Sequence, residues 1–228
     1  MIKPEVKFYD LNILSKQIKF RKWIAKDRRL FKEQVSSANN DSLKIGKITI
    51  NNLLINCLDT KYPLSIDEIR YILIKIRENS ISDEVEFNTK CDICGNIETH
   101  KVKISDLVSI SYNPIKEIII DDINIKLGEI KNIDFYNTKI LDSTNPILTD
   151  LILRIESINS EIDFTYDDLV DYFDNLETDI LDKILEIYNI HRFKLDIKFS
   201  FKCKKCLAQN NQEYTDLPDF FPSKWLEA

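Results

Sequence analysis

The sequence predicts an α+β fold, on three observations. Two Cys-x-x-Cys pairs, Cys91-Asp-Ile-Cys94 and Cys203-Lys-Lys-Cys206, each interrupt runs with strand-like alternation. Several other stretches repeat apolar residues at helical spacing behind helix-start signals. The segment between the two pairs is long, with 108 residues separating Cys94 from Cys203, and three helical patterns fill its second half.

In chain order, the first 80 residues read as a short strand followed by helices. From Arg21 to Ser36, Trp23, Ile24, Leu30, Phe31 and Val35 recur at broadly helical spacing, and the other side carries Arg21, Lys22, Lys26, Arg28, Arg29 and Lys32. That basic side reads first as a solvated helix face, then as a contact for an acidic protein, and last as a nucleic-acid contact. The next helix, roughly Ile48 to Leu58, has the stripe Ile50, Leu53, Leu54, Cys57 and Leu58, which makes Cys57 a core thiol. Ser65 and Glu68 then form a capping box, whose side chains satisfy free amides at a helix start. The helix behind it places Ile69, Leu73 and Ile76 on one face, with Ile66 and Ile72 beside them.

Each cysteine pair sits where an extended chain turns back. Val85, Phe87 and Thr89 share a face ahead of the first, and Ile97 to Ile104 leads away from it. Gly95 follows Cys94 directly, where such a turn favours a residue tolerant of positive φ. Leu195, Ile197, Phe199 and Phe201 alternate ahead of the second pair, and Gln212 to Leu217 can return beside them. Leu207 stands where the first turn has Gly95, so a less regular second turn is expected.

Between the pairs, Lys116 to Leu127 reads as a hairpin about Asp121-Asp122, and Lys131 to Asp142 is ambiguous. Pro146 suits a first helical position, with Ile147, Leu148, Leu151, Ile152 and Ile155 as the stripe behind it. Thr165 is placed to cap Tyr166 to Leu176, and Thr178 to cap Asp179 to Ile190. These short amphipathic helices predict a small lobe with a negative surface. Its carboxylates fall mostly in first turns, where they complement the helix dipole; no catalytic set is visible. The resulting segments are a mainly helical region 1–80, a first knuckle hairpin 81–112, an inserted hairpin and helical lobe 113–192, and a second knuckle with an aromatic tail 193–228. Phe220 to Leu226 makes up that tail, read as folding back on the core or docking on a partner.

Two Cys-x-x-Cys turns are together the donor set of a closed, four-thiolate structural zinc site. Cys91, Cys94, Cys203 and Cys206 are therefore the metal-ligand candidates, in a split zinc ribbon made of two knuckles. Closing the long spacer costs roughly 4 kcal/mol, well below the roughly 10–16 kcal/mol released when structural zinc binds to small peptides. The filled centre would carry a formal charge of −2, with Lys90, Lys202, Lys204 and Lys205 placed to soften it. A pair of redox dithiols, disulfides or no shared role remain the other readings. A thioredoxin-type pair opens a helix, however, and neither pair here does. His100 and His191 stand as weaker ligand candidates, since four cysteines already complete the set.

Composition narrows the class. The chain has 228 residues, 43% of them hydrophobic, which suits a globular protein with a sizeable core. Its net charge is −6 and its pI is near 5.1, unlike the basic balance of most nucleic-acid proteins. No apolar leader or membrane-length run is visible, so a reducing cytoplasm is expected, which favours thiolates over disulfides. Phosphate-loop, nucleophile-elbow and His-Glu-x-x-His motifs are absent from the sequence, and no enzyme is predicted.

The order of these features carries a resemblance. A basic, partly helical start leads to the helix around Ile69-Arg70-Tyr71-Ile72-Leu73-Ile74-Lys75-Ile76-Arg77, then to Glu84–Lys90 and Cys-x-x-Cys-Gly. A helical middle, a second Cys-x-x-Cys and the ending Leu217-Pro218-Asp219-Phe220-Phe221 follow. This resembles the baseplate hub and hub-assembly proteins of T-even-type contractile-tailed bacteriophages, over roughly Arg21 to Phe221. The resemblance implies a non-enzymatic hub component or assembly factor, made in the host cytoplasm and located there or in the virion baseplate. It implies other tail and baseplate hub proteins as partners in a hetero-oligomer, with no membrane or nucleic acid, and the four cysteines as ribbon ligands.

Overall fold

The structure, a computed structural model, describes residues 7–37, 56–59, 62–130, 139 and 143–213. Most of the helix expected from Ile48, most of Lys131 to Asp142, the end of the Gln212 to Leu217 run and the segment Phe220 to Leu226 lie outside the described residues. The fold is mixed α+β, in two compact units. One holds Met1–Thr60, Ile69–Ile110 and Leu195–Ala228; the other holds Lys61–Glu68 and Ser111–Lys194.

The first unit opens with two paired strands, where a single short strand was expected ahead of the helices. β1 (Phe8–Ile13) and β2 (Lys16–Arg21) pair antiparallel, and β3 (Leu58–Asp59) adds to β2. Period-two burial explains the hairpin: Ile13, Ile18 and Phe20 are buried while Phe8, Asp10 and Gln17 are exposed. Leu58, expected at a helix end, belongs to β3 instead. Its neighbour Cys57 is buried as expected, and burial pushes its thiol up to about 12.

The helix α1 (Ala25–Ser37) begins four residues later than Arg21, because Arg21 closes β2. The Arg21 guanidinium donates to both Asp27 oxygens, at 2.6 and 3.0 Å, and Asp27 also accepts the Ile24 N–H at 3.0 Å. Arg21 is thus taken out of the basic face and holds the helix start in place.

At α2 (Ile66–Ser80) the predicted capping box is present. The Glu68 N–H donates to Ser65 Oγ at 3.3 Å, and the Ser65 N–H donates to Glu68 Oε2 at 2.7 Å. Ile69, Ile72, Leu73 and Ile76 are buried, as the spacing requires. At the other end Arg77 donates to the carbonyls of Ser82 and Glu84, fastening the helix to β4 (Glu84–Lys90). β4 pairs antiparallel with β5 (Ile97–Lys103), and a single 3₁₀ turn leads to β6 (Val108–Ser111).

The second unit combines a sheet with three helices. β7 (Glu117–Ile120) and β8 (Ile123–Leu127) form the expected hairpin, with Asp121 at φ 50° in its turn. β9 (Ile155–Ile158) completes the order β7-β8-β9. This corrects the placing of Ile155 on a helix stripe: α3 (Pro146–Ile152) stops first, and the β-branched Ile155 and Ile158 pair with β8. Asn145 caps α3 by accepting the Leu148 N–H at 3.2 Å.

Thr165 caps α4 (Tyr166–Asp174) in a full box with Asp168. Thr178 is not a cap. It is the first residue of α5 (Thr178–His191), and Glu177 holds the cap position without a side-chain bond. Ile118, Ile125, Leu151, Ile152, Phe173, Ile184 and Tyr188 build this unit's core. Within it the Tyr188 hydroxyl donates to Asp150, which also receives Arg154 Nε at 3.0 Å.

The chain returns to the first unit through β10 (Lys194–Lys202), which pairs antiparallel with β11 (Gln209–Glu213) in the order β11-β10-β6. The returning strand starts at Gln209, three residues before the predicted Gln212. The second turn is as short as the first, which sets that start.

Candidate metal centre

The two cysteine turns share one hydrogen-bond plan. The Cys91 N–H donates to the Asn96 carbonyl at 2.8 Å and the Gly95 N–H to the Cys91 carbonyl at 2.9 Å. In the second turn the Cys203 N–H donates to the Ala208 carbonyl, and the Leu207 N–H to the Cys203 carbonyl, both at 2.9 Å. Gly95 has φ 68° and Leu207 has φ 62°. Leu207 therefore adopts the conformation that glycine takes without strain, and the second turn is as regular as the first. The strands agree too: Lys90 faces Ile97 and Lys202 faces Gln209 across their hairpins, the same offsets from the cysteines.

These turns bring all four predicted ligands together. Cys91 Sγ lies 3.6 Å from Cys206 Sγ, Cys94 Sγ lies 3.7 Å from Cys203 Sγ, and the four sulfurs all fall within 4.8 Å of one another. A tetrahedral site with bonds of about 2.3 Å has sulfur–sulfur edges of roughly 3.8 Å. Bonded sulfurs would stand at about 2.05 Å, and all five cysteines are free thiols. The donor set and its spacing fit a divalent metal of zinc type. Each turn leads from strand to strand, from β4 to β5 and from β10 to β11, so neither has the helix that a thioredoxin-type dithiol uses.

The thiols ionise unevenly. The Cys94 N–H, with the Ile93 N–H and the Cys206 and Asn210 side chains, holds Cys91 down at about 6 against the opposing effect of burial. At Cys206 the Ala208 N–H acts downward, but burial and the three neighbouring cysteines outweigh it and push the thiol up to about 12. Cys203 is raised as well, the Cys206 N–H being outweighed by burial and the Cys94 side chain. Once one thiolate forms, its neighbours resist losing their protons. A divalent cation relieves that repulsion.

Two polar residues complete the site, and sequence reasoning missed both. Asn210, 3% exposed, accepts the Asp92 N–H at 3.0 Å through Oδ1. Glu98, 8% exposed, accepts the Lys204 N–H at 2.7 Å through Oε1, which holds its carboxyl below the usual range. The available signal was positional: each lies seven residues after the first cysteine of its own turn. Neither histidine joins the cluster. His100 sits among Phe87, Phe199 and Phe201 with Nε2 2.9 Å from Thr89 Oγ1, and His191 closes α5 with Nδ1 2.7 Å from the Asn113 carbonyl oxygen.

Fold and site define a mixed α+β protein built on a four-cysteine centre. The chain belongs to the T4 bacteriophage base plate protein family, whose model matches residues 3–222. No curated protein and no solved structure matches it. Among the described residues, no helix is long and apolar enough to cross a membrane.

Proposed function

We propose that this protein is a non-enzymatic structural or assembly component of the phage baseplate hub, organised by zinc bound to Cys91, Cys94, Cys203 and Cys206. The observation that carries the reading is the convergence of two cysteine turns, 108 residues apart, into one four-sulfur cluster within a chain of the baseplate family. A bound zinc would supply a closed structural crosslink, with no coordination position left for substrate. Bound there, it closes a loop containing the inserted segment 113–192, so both ends of that segment start from one fixed point. The division into segments 1–80, 81–112, 113–192 and 193–228 is part of the same proposal.

Partners are other baseplate hub proteins in a hetero-oligomer, met in the host cytoplasm and in the virion baseplate. The charge distribution supports contacts of opposite sign. Lys61–Glu68 with Ser111–Lys194 holds 9 Lys and Arg against 20 Asp and Glu, net −11; the remaining 23 and 18 give the other unit net +5. Lys22, Lys26 and Arg29 are exposed on the basic side, and with the aromatic segment Phe220 to Leu226 they are the contacts we assign to partners. Nucleic acid is the alternative occupant of the basic side; it predicts binding that weakens steeply with salt, and a blank gel shift at low salt removes it.

Metal analysis of the purified protein is expected to find one zinc per chain, and Cys91→Ser or Cys203→Ser to lower the melting temperature. Absence of bound metal, or unchanged melting, defeats the site. Isolation from infected cells or intact particles should bring baseplate proteins with it.

A further inference from the structure

We propose that Glu98 and Asn210 are equivalent positioning residues of the metal centre, each holding the opposite cysteine turn, and that a carboxylate at position 98 keeps metal affinity below what the geometry allows. The inference rests on the four-cysteine zinc reading and deepens it.

The equivalence is read from matched contacts. Residue 98 follows Cys91 by seven positions and residue 210 follows Cys203 by seven. Asn210 Oδ1 accepts the N–H of Asp92, just after Cys91; Glu98 Oε1 accepts the N–H of Lys204, just after Cys203. Each also lies against the first sulfur of the opposite turn, Asn210 beside Cys91 and Glu98 beside Cys203. Supporting bonds repeat as well: Thr99 Oγ1 donates to Asn88 in the first hairpin and Ser200 Oγ to Asn211 in the second, both at 2.7 Å. The turns are thus joined by crossed hydrogen bonds in addition to the sulfurs.

The pair is matched in place but not in chemistry. Asn210 uses both ends of its amide, since Nδ2 donates to the Ala208 carbonyl at 3.0 Å and keeps a second N–H for the Cys91 sulfur. Glu98 has no such donor. Its Oε1 is shared between Lys204 and Asn96 Nδ2, the latter at 3.0 Å, while its Oε2 is buried without a hydrogen-bond partner. A carboxylate beside a cysteine that must become a thiolate opposes metal binding by like charge. Glu98→Gln keeps the acceptor for Lys204 and puts an N–H where Oε2 stood, reproducing the Asn210 arrangement. Asn210→Asp does the reverse: it keeps the acceptor for Asp92 and loses the donor.

The test measures zinc affinity of the full-length, reduced protein by competition with a chromophoric chelator, for wild type, E98Q, N210D and N210A. Cobalt(II) spectra report whether four thiolates still bind. We expect E98Q to bind zinc about tenfold tighter, and N210D and N210A to bind ten- to a hundredfold weaker, all with the tetrathiolate cobalt spectrum. A merely structural role predicts that E98Q weakens binding along with the others. An E98Q affinity at or below wild type, or N210 variants equal to wild type, overturns the inference while leaving the zinc site standing. Wild-type protein that binds neither zinc nor cobalt overturns both.

Discussion

Leu207 carries the most local of the expectations drawn from this structure. An L-residue in the left-handed region costs roughly 1–2 kcal/mol, and at 64% exposure Leu207 has little buried surface to set against it. Leu207→Gly should raise stability by about 0.5–1 kcal/mol once the greater freedom of glycine in the unfolded chain is subtracted. A lower melting temperature for the metal-loaded variant would contradict this. Asp27 is the second case. Burial acts to raise its carboxyl, but the Arg21 guanidinium and the Ile24 N–H outweigh it, so its pKa is lowered in the folded protein. Its stabilising share is complete above the unfolded value near 4 and is lost as pH falls through the lower folded value. Asp27→Asn is expected to cost about 3 kcal/mol at neutral pH by stranding Arg21. It should also flatten stability as pH falls below about 4 relative to wild type, as denaturant titrations in acid would register.

Helix starts separate two threonines that look alike in sequence. Thr165 accepts the Asp168 N–H and Asp168 returns to the Thr165 N–H, so Thr165→Ala should lose about 1 kcal/mol. Thr178 lies inside α5 and caps nothing, so Thr178→Ala should move stability by less than about 0.5 kcal/mol. Equal losses in urea unfolding would show that the two starts are not distinguished in solution. The same scale explains which elements were legible. Strong periodicity placed α2, α4, α5 and the β7–β8 hairpin to within a few residues, because each presents an apolar face at the regular spacing of its element. Before Arg21 only one short strand was expected instead of the β1–β2 pair, and β9 was not placed, because a six- or four-residue run such as Phe8–Ile13 or Ile155–Ile158 becomes a strand only when a partner supplies its hydrogen bonds.

Across the whole molecule, the zinc reading gives the two units different sensitivities to metal. All four cysteines lie in the unit containing Ile69–Ile110 and Leu195–Ala228, whereas the core from Ile118 to Tyr188 belongs to the other. A strong chelator should therefore lower the melting of the cysteine-bearing unit by several degrees while hydrogen exchange in α4 and α5 stays protected. Loss of protection in both at the same chelator concentration would count against separate cores. Acid should mimic the chelator, since thiolates must be reprotonated as metal leaves.

What the sequence determined by itself was chemistry and local order. The spacing of Cys91, Cys94, Cys203 and Cys206 named a donor set, Ser65 with Glu68 and Thr165 marked helix starts, and Cys57 was read as a core thiol. The tertiary structure decided which distant groups meet. It closed four sulfurs over a 108-residue interval, drew Arg21 away from the basic face to Asp27, and set Glu98 and Asn210 across from each other's cysteine turns. The physical reason is common to all three: periodicity and capping are interactions within a few residues, while a metal site, an ion pair and a crossed hydrogen bond exist only after the chain has brought remote segments into contact.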